Sequence, residues 1–317
     1  MCPRNRKYTL ALAALLALVF APIAGVAQSR KQPVVAGNEI TITVTAHPHD
    51  DRTRANARQI QAADFTVRED KRPQQIISVR KATEAPPVIA VLIQDDLISQ
   101  VNNELRVLKQ FIRALPEGSR VMVGYVTSGS LGVAQDFTTD RERAAGSLRV
   151  VRSSESGSPF NPYVELIEAL RKFDSQPAGR RLVLFVSDGL DISRGFASAS
   201  PSLSLDLDRA IREAQRRGVT IYSIYSPAVG LTARSRLASN YGQSSLNKLS
   251  DDTGGEAFFS GSSFVSFDPY LKEMNELLDM QWVITYRSNN TGSGFRQIEV
   301  SVEPEVHLHH IEGYRMR

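Results

Sequence analysis

Three aspartates stand where apolar strands run out. Val88-Ile89-Ala90-Val91-Leu92-Ile93-Gln94 delivers the chain to Asp95-Asp96, and Leu182-Val183-Leu184-Phe185-Val186-Ser187 delivers it to Asp188. A near-continuous apolar run is a strand buried on both faces, the condition of a parallel sheet covered by helices. Ligands of such sheets collect in the crevice outside the carboxyl ends of the strands. Carboxylates at two strand ends therefore address a cation, either a hard divalent ion that takes oxygen ligands or a basic side chain of a partner.

Nucleophilic chemistry of the Ser/His/Asp or Cys/His kind has no material in this region, because residues 85–279 contain neither histidine nor cysteine. General acid–base work there falls to carboxylates alone, and the chain is not expected to be an enzyme. The apolar fraction of 42% is that of a globular chain, and 317 residues suffice for one α/β domain with a smaller appendage. Arg4, Arg6 and Lys7 precede the apolar run Leu10 to Ile23, and Gly25-Val26-Ala27 supplies small residues. This is the layout of a secretory signal peptide with cleavage after Ala27, which places the chain outside the cell or in the periplasm. Its removal takes away three cations and no acids, so the formal charge falls from +4 to +1. With no Lys/Arg block in the remainder, no nucleic-acid partner is expected, and no membrane span is expected after cleavage. The sole cysteine, Cys2, precedes the apolar run, so the mature fold holds without disulfides.

A polar leader over 28–36 comes before alternating strand patterns at Glu39 to Ala46, Asp64 to Asp70 and Gln75 to Val79, a β module over 37–84. Strand and helix signals then alternate through 85–279. Val101, Leu105, Leu108, Ile112 and Leu115 recur at helical spacing. Arg120 to Thr127 and Leu131 to Thr138 are strands, and Asp140 caps a helix expected to run through Val150. Asn161-Pro162 starts another helix, and Val219 to Tyr225 is a further buried strand. Leu246 and Leu249 mark a short helix, Glu256 to Phe259 is a last core strand, and Asp268-Pro269 opens the final helix. This succession predicts a doubly wound, mainly parallel sheet. The strands at Trp282 to Tyr286, Phe295 to Val302 and His307 to Tyr314, within 280–317, are expected to join the leading module in one small sheet, beside which the central domain is inserted. Polar stretches at Gly189 to Ser204 and Pro227 to Ser244 are expected to be the loops that set specificity.

The strand ending in Asp95 with Ser99 four residues on, Gly157-Ser158-Pro159 before a helix, and the strand ending in Ser187-Asp188-Gly189 together resemble the von Willebrand factor type A domain. The chain is similar, more closely, to the bacterial secreted proteins related to it. Phe65-Thr66-Val67-Arg68-Glu69-Asp70, Thr253-Gly254-Gly255, Gln281-Trp282-Val283-Ile284-Thr285-Tyr286 and Gly313-Tyr314 carry that likeness. The resemblance implies a Rossmann-like domain over 85–279, a protein-binding or adhesion role, and a metal-ion-dependent adhesion site. Carried over, its metal ligands are Asp95, Ser99, Ser158 and Asp188, and the implied ion is Mg2+ or Mn2+ with an open position for an acidic side chain of a protein partner. Leu97 stands where that family has a ligating serine, so the ion is expected to be held weakly or not at all; Asp96 and Asp191 are the spare carboxylates. An empty site of this kind requires that crowded acids raise one another's pKa or that arginine or lysine neutralise them.

Ala46-His47-Pro48-His49-Asp50-Asp51 resembles the Ala-His-Pro-Asp-Asp signature of zinc-dependent sugar deacetylases, and a metal-dependent hydrolase using the His47 region or the acidic crevice is the alternative. The extra His49 displaces the aspartates by one position, so a turn between strands is expected here, and His307, His309 and His310 are expected to be exposed strand histidines. Similarity to aspartate phosphatases or receiver domains fails at Leu97 and at the lack of lysine in Val219 to Pro227. A dinucleotide site fails because no glycine-rich turn follows Ile93.

Overall fold

The computed structural model describes residues 39–48, 50–154, 161–259, 264, 266–303 and 306–316. The signal segment, the polar leader, His49 and Ser158 lie outside the described residues. The leading segment holds β1 (Glu39–His47), α1 (Asp51–Gln59), β2 (Phe65–Glu69), β3 (Arg72–Pro73) and β4 (Gln75–Lys81). The central part runs β5 (Val88–Gln94), α2 (Leu105–Ala114), β6 (Arg120–Thr127), β7 (Ser130–Thr138), α3 (Arg141–Gly146), α4 (Pro162–Arg171), β8 (Arg181–Ser187), α5 (Leu205–Arg217) and β9 (Val219–Tyr225). It continues through α6 (Leu231–Arg234), α7 (Arg236–Asp252), β10 (Ala257–Phe258) and α8 (Asp268–Asp279). The tail is β11 (Gln281–Arg287), β12 (Gly294–Val302), β13 (His307–His310) and β14 (Gly313–Met316).

β5 is buried at every residue because it lies in the middle of a six-stranded sheet, order β10-β9-β8-β5-β6-β7, with helices on both faces. All pairings are parallel except that of β7 with β6. This is the doubly wound sheet expected from the strand patterns. The helix starts follow local chemistry: Asn161 accepts from the Tyr163 amide at 2.9 Å with Pro162 behind it, and the Ser204 hydroxyl accepts from the Leu207 amide at 3.2 Å. Gly218, at φ 61°, ends α5 in the left-handed conformation that glycine adopts without strain.

Several elements depart from expectation. The helix capped by Asp140 stops at Gly146 rather than Val150, and the chain then crosses the sheet end as a loop. Pro227 to Ser244 is not one polar loop: α6 and most of α7 lie in it. The hydrophobic pattern of α7 is faint because its buried face is built from Ala238, Ser239, Gly242 and Ser245 before Leu246. The helix after β5 begins as a 3-10 turn, Ser99–Glu104. Asp268 is the first residue of α8 and not its cap; the buried Glu104 side chain accepts from the Phe267 amide at 2.8 Å instead. Asp51–Gln59 is a helix where a turn was expected.

The outer strands form two antiparallel sheets in place of one, ordered β13-β1-β11-β4 and β14-β12-β2-β3. His307 to Tyr314 is split between them at Gly313, where a Cβ would lie 2.1 Å from the Arg296 carbonyl oxygen. The two sheets share one apolar core around Ile42, Val44, Phe65, Val67, Trp282 and Ile284. At its heart Glu69, fully buried, accepts from the hydroxyls of Tyr286 (3.0 Å), Tyr314 (2.9 Å) and Ser288 (2.8 Å) and from Asn290 Nδ2 (2.7 Å). Arg180 ties the central domain to this base: it donates to Gln281 Oε1 at 2.9 Å and to the carbonyls of Ala82 (3.0 Å), Ala85 (3.1 Å) and Leu278 (2.8 Å). It thereby holds the segment before β5 and the end of α8 at one point.

The tail histidines are not all exposed. His309 is half-buried and stacks on His47 with ring centroids 4.6 Å apart, while His47 Nε2 lies 3.0 Å from Glu256 Oε2. Burial, then the fields of His47 and His307, push His309 down to about 4, whereas Glu256 raises His47. The fold thus prefers neutral His309, and its contribution is lost as pH falls from 6.5 toward about 4, because only the unfolded chain takes up the proton there. His47 acts in the opposite sense and is discounted with it for partial exposure. His309→Gln is expected to flatten the acid limb of stability by about 1–2 kcal/mol near pH 4.5, read by urea unfolding; an unchanged limb would refute the assignment.

Candidate functional site

Because β5 pairs with β8 in register, Ile93 opposite Val186, the carboxylates that follow them emerge on adjacent strand ends. Each has been dealt with differently. Asp95 is 2% exposed and is gripped by Arg149, whose Nη1 and Nη2 donate to Oδ1 and Oδ2 at 2.7 and 3.0 Å. Arg152 adds its Nε at 3.2 Å from Oδ2 and its backbone amide at 3.1 Å from Oδ1. A planar fork meeting a carboxylate through two parallel bonds is the strong form of this ion pair. Arg149 is itself held against the Tyr125 ring, 3.7 Å from its centroid, and the Tyr125 hydroxyl donates to the Arg149 carbonyl at 2.9 Å and accepts from the Arg149 amide at 2.7 Å.

Among the described residues no cation is paired with Asp188. Its Oδ2 accepts from the Thr232 hydroxyl at 2.9 Å and its Oδ1 from the Leu190 amide at 3.2 Å. Burial first, and the neighbouring Asp96 second, push it up to about 7. Asp96 Oδ1 accepts from Gln94 Nε2 at 2.8 Å, and Gln94 Oε1 accepts from the Ser187 hydroxyl at 2.6 Å and the Asp188 amide at 3.2 Å. One buried amide side chain therefore stitches the two strand ends together. Gly189 (φ 66°) and Gly242 let this loop touch α7: a Cβ on Gly242 would sit 1.9 Å from the Asp188 carbonyl oxygen.

Leu97 is fully buried in the core and pairs with Ala228 across an isolated bridge; the Ile98 amide donates to Pro227 O and the Val229 amide to Asp96 O, both at 3.0 Å. The residue that displaces a ligating serine thus seals the loop after β5 against the segment after β9. Ser99 opens the 3-10 turn and is exposed. Asp191 is engaged by Ser193 and Ser204, holding the 189–204 loop. Among the described residues, no group of three or more His, Cys, Asp or Glu side chains is arranged to hold a metal. Asp95 already carries four donors, so the described residues do not fit a divalent ion, and no step is derived through one. Nor do the described residues of the His47 segment form a zinc centre: Asp50 caps α1, accepting from the Thr53 amide at 2.7 Å.

No family model and no curated protein matches the chain. Solved structures similar to it include an aerotolerance-related membrane protein from Bacteroides fragilis, carrying multiple mutations to serine (12% identity, 61% of this chain and 98% of that one, TM-score 0.43). The SpRpn10 VWA domain matches at 12% identity over 59% and 95% of the two chains, TM-score 0.40. Manganese-loaded TRAP protein from Plasmodium vivax matches at 10% over 80% and 100%, TM-score 0.41. The sheet order is that of a doubly wound, Rossmann-like sheet.

The register of β5 and β8 places Asp95, Asp96 and Asp188 at adjacent strand ends; Arg149, Arg152, Gln94 and Thr232, which bond to them, were not read from the sequence. Gly146 was the available signal. Gly146, a poor helix former, is the last residue of α3, and the chain beyond it carries Arg149 over the strand ends.

Proposed function

We propose that the chain is a secreted or periplasmic, non-enzymatic protein-binding module, with its binding face at the carboxyl ends of β5, β8 and β9. The residues Asp95, Ser99, Ser158 and Asp188 are the remnant of a metal-ion-dependent adhesion site in which arginine has taken the cation's place. The observation that carries this reading is the two-armed clamp of Arg149 on buried Asp95, reinforced by Arg152. Secretion rests on the leader layout through Ala27, and no described helix is long and apolar enough to cross a membrane. The hydrolase alternative gains no support, since the described part of the His47 segment is spent on a helix cap and on Glu256.

Thermal unfolding with millimolar Mg2+, Mn2+ or chelator tests the reading. The midpoints are expected to agree within about 1 °C, because an ion that binds the native state must raise the midpoint. Stabilisation by either ion that Asp188→Ala abolishes would instead restore a working metal site. Capture of a protein ligand through a photo-crosslinker placed at Val150, which is exposed beside the clamp, tests the binding role; crosslinking confined to other faces would remove it.

A further inference from the structure

Three segments meet around the strand ends: 149–154, 189–205 and 227–237. The first and third are tied to the strand ends by Arg149 and Arg152 on Asp95, by the Ser153 hydroxyl on Leu97 O at 2.7 Å, by the Val229 amide on Asp96 O at 3.0 Å and by Thr232 on Asp188; the second continues directly from Asp188 and packs Leu190 and Ala199 against Ala238 at the start of α7. Their charge is one-sided. Arg149, Arg152, Arg194, Arg234 and Arg236 are partly or fully exposed, whereas their sole acid, Asp191, is buried and engaged by serines. Two guanidiniums on Asp95 leave a net positive charge, and the Arg152 side chain is 68% exposed. The same segments hold six of the ten large hydrophobics exposed among the described residues, Phe196, Leu231 and Leu237 with them. Exposed apolar side chains carried on segments at the same end of a sheet, together with exposed charge of a single sign, mark an interaction surface.

We infer that this rim docks an acidic protein segment that also carries apolar side chains, its carboxylates meeting the arginine forks while its apolar residues cover Phe196, Leu231 and Leu237. The inference rests on the protein-binding reading and names the chemistry of the partner. Charge complementarity selects an acidic occupant. Arg149 is already fixed by Asp95 and Tyr125, so it loses little freedom on binding. A protein segment fits better than a nucleic acid, because the exposed apolar residues are mainly aliphatic and offer few rings for base stacking.

The test is fluorescence anisotropy of the whole mature chain with a labelled peptide alternating glutamate with leucine and phenylalanine. The controls are the same peptide with lysine for glutamate, a peptide with glycine for the apolar residues, and vesicles of phosphatidylcholine with phosphatidylglycerol. Binding of the first peptide alone is expected, weakened about tenfold or more by Arg194→Glu with Arg236→Glu, and similarly by Leu231→Asp with Leu237→Asp. All four positions are exposed, and an unchanged unfolding midpoint shows that the variants fold. No binding of the acidic apolar peptide, equal binding of either control peptide, or binding only to anionic vesicles would overturn the inference. A protein that crosslinks to the chain and is not displaced by the acidic peptide overturns the rim chemistry while leaving the protein-binding reading intact; absence of both removes the two together.

Discussion

Replacing Glu69 by alanine is expected to lower the free energy of unfolding by about 3–5 kcal/mol. The carboxylate accepts four hydrogen bonds in a site closed to water, from Tyr286, Tyr314, Ser288 and Asn290. Alanine leaves those donors facing a cavity, and each stranded donor costs about 1–3 kcal/mol before the loop 288–290 relaxes to recover part of it. Burial, with the adjoining Tyr314 and Glu69, raises the pKa of Tyr286, so its phenol stays a donor throughout the accessible pH range. Glu69→Gln keeps one acceptor oxygen and points an amide group at the other donors, so it should lose roughly half as much. Trp282, the only tryptophan, packs against Phe65 at 5.2 Å between centroids and reports the unfolding of this base in urea. A midpoint unmoved by Glu69→Ala would show that the two outer sheets are joined by their apolar core alone.

Glu69 also shows what was legible in the sequence and what was not. Phe65 to Asp70, Gln281 to Tyr286 and Gly313-Tyr314 stood out as separate stretches carrying the family likeness, and all three converge on this one carboxylate. The partners are separated by 217 and 245 residues, and no spacing rule reaches across the whole six-stranded sheet and its helices. The central sheet was legible because a doubly covered strand is mostly apolar, as β5, β8 and, but for Thr220 and Ser223, β9 are. α7 was not, because a helix lying against the Asp188 turn needs glycine and serine on its buried face, and these carry no hydrophobic signal. In the site, the acids could be read from the strand ends. Their neutralising groups could not: Arg149 lies 54 residues beyond Asp95, and Asp188 is neutralised by its surroundings rather than by any residue type.

That difference between the two acids governs the second expectation, that Asp188→Asn will stabilise the protein by about 3–4 kcal/mol near pH 8 and alter it little near pH 4. Asp188 titrates in the fold at about 7, above the 3.8 of an unhindered aspartate, because burial and Asp96 both oppose its charge. Below 3.8 it is protonated in both states and contributes no pH dependence. Between 3.8 and about 7 the unfolded chain releases the proton while the folded chain keeps it, so stability falls as pH rises; above about 7 both are ionised and the whole cost is present. Asparagine carries no charge at any of these pH values. Its carbonyl oxygen can accept from Thr232 or the Leu190 amide, and its amide group can face Asp96 without repulsion. Urea unfolding of both proteins across this range should give curves that coincide in acid and diverge toward neutrality. Parallel curves would mean that Asp188 is ionised in the fold with a cation beside it, and closure of the gap by Mg2+ would identify that cation as a metal. Divergence indifferent to Mg2+ leaves a crevice in which arginine neutralises Asp95 and, below about pH 7, a proton neutralises Asp188, without a metal.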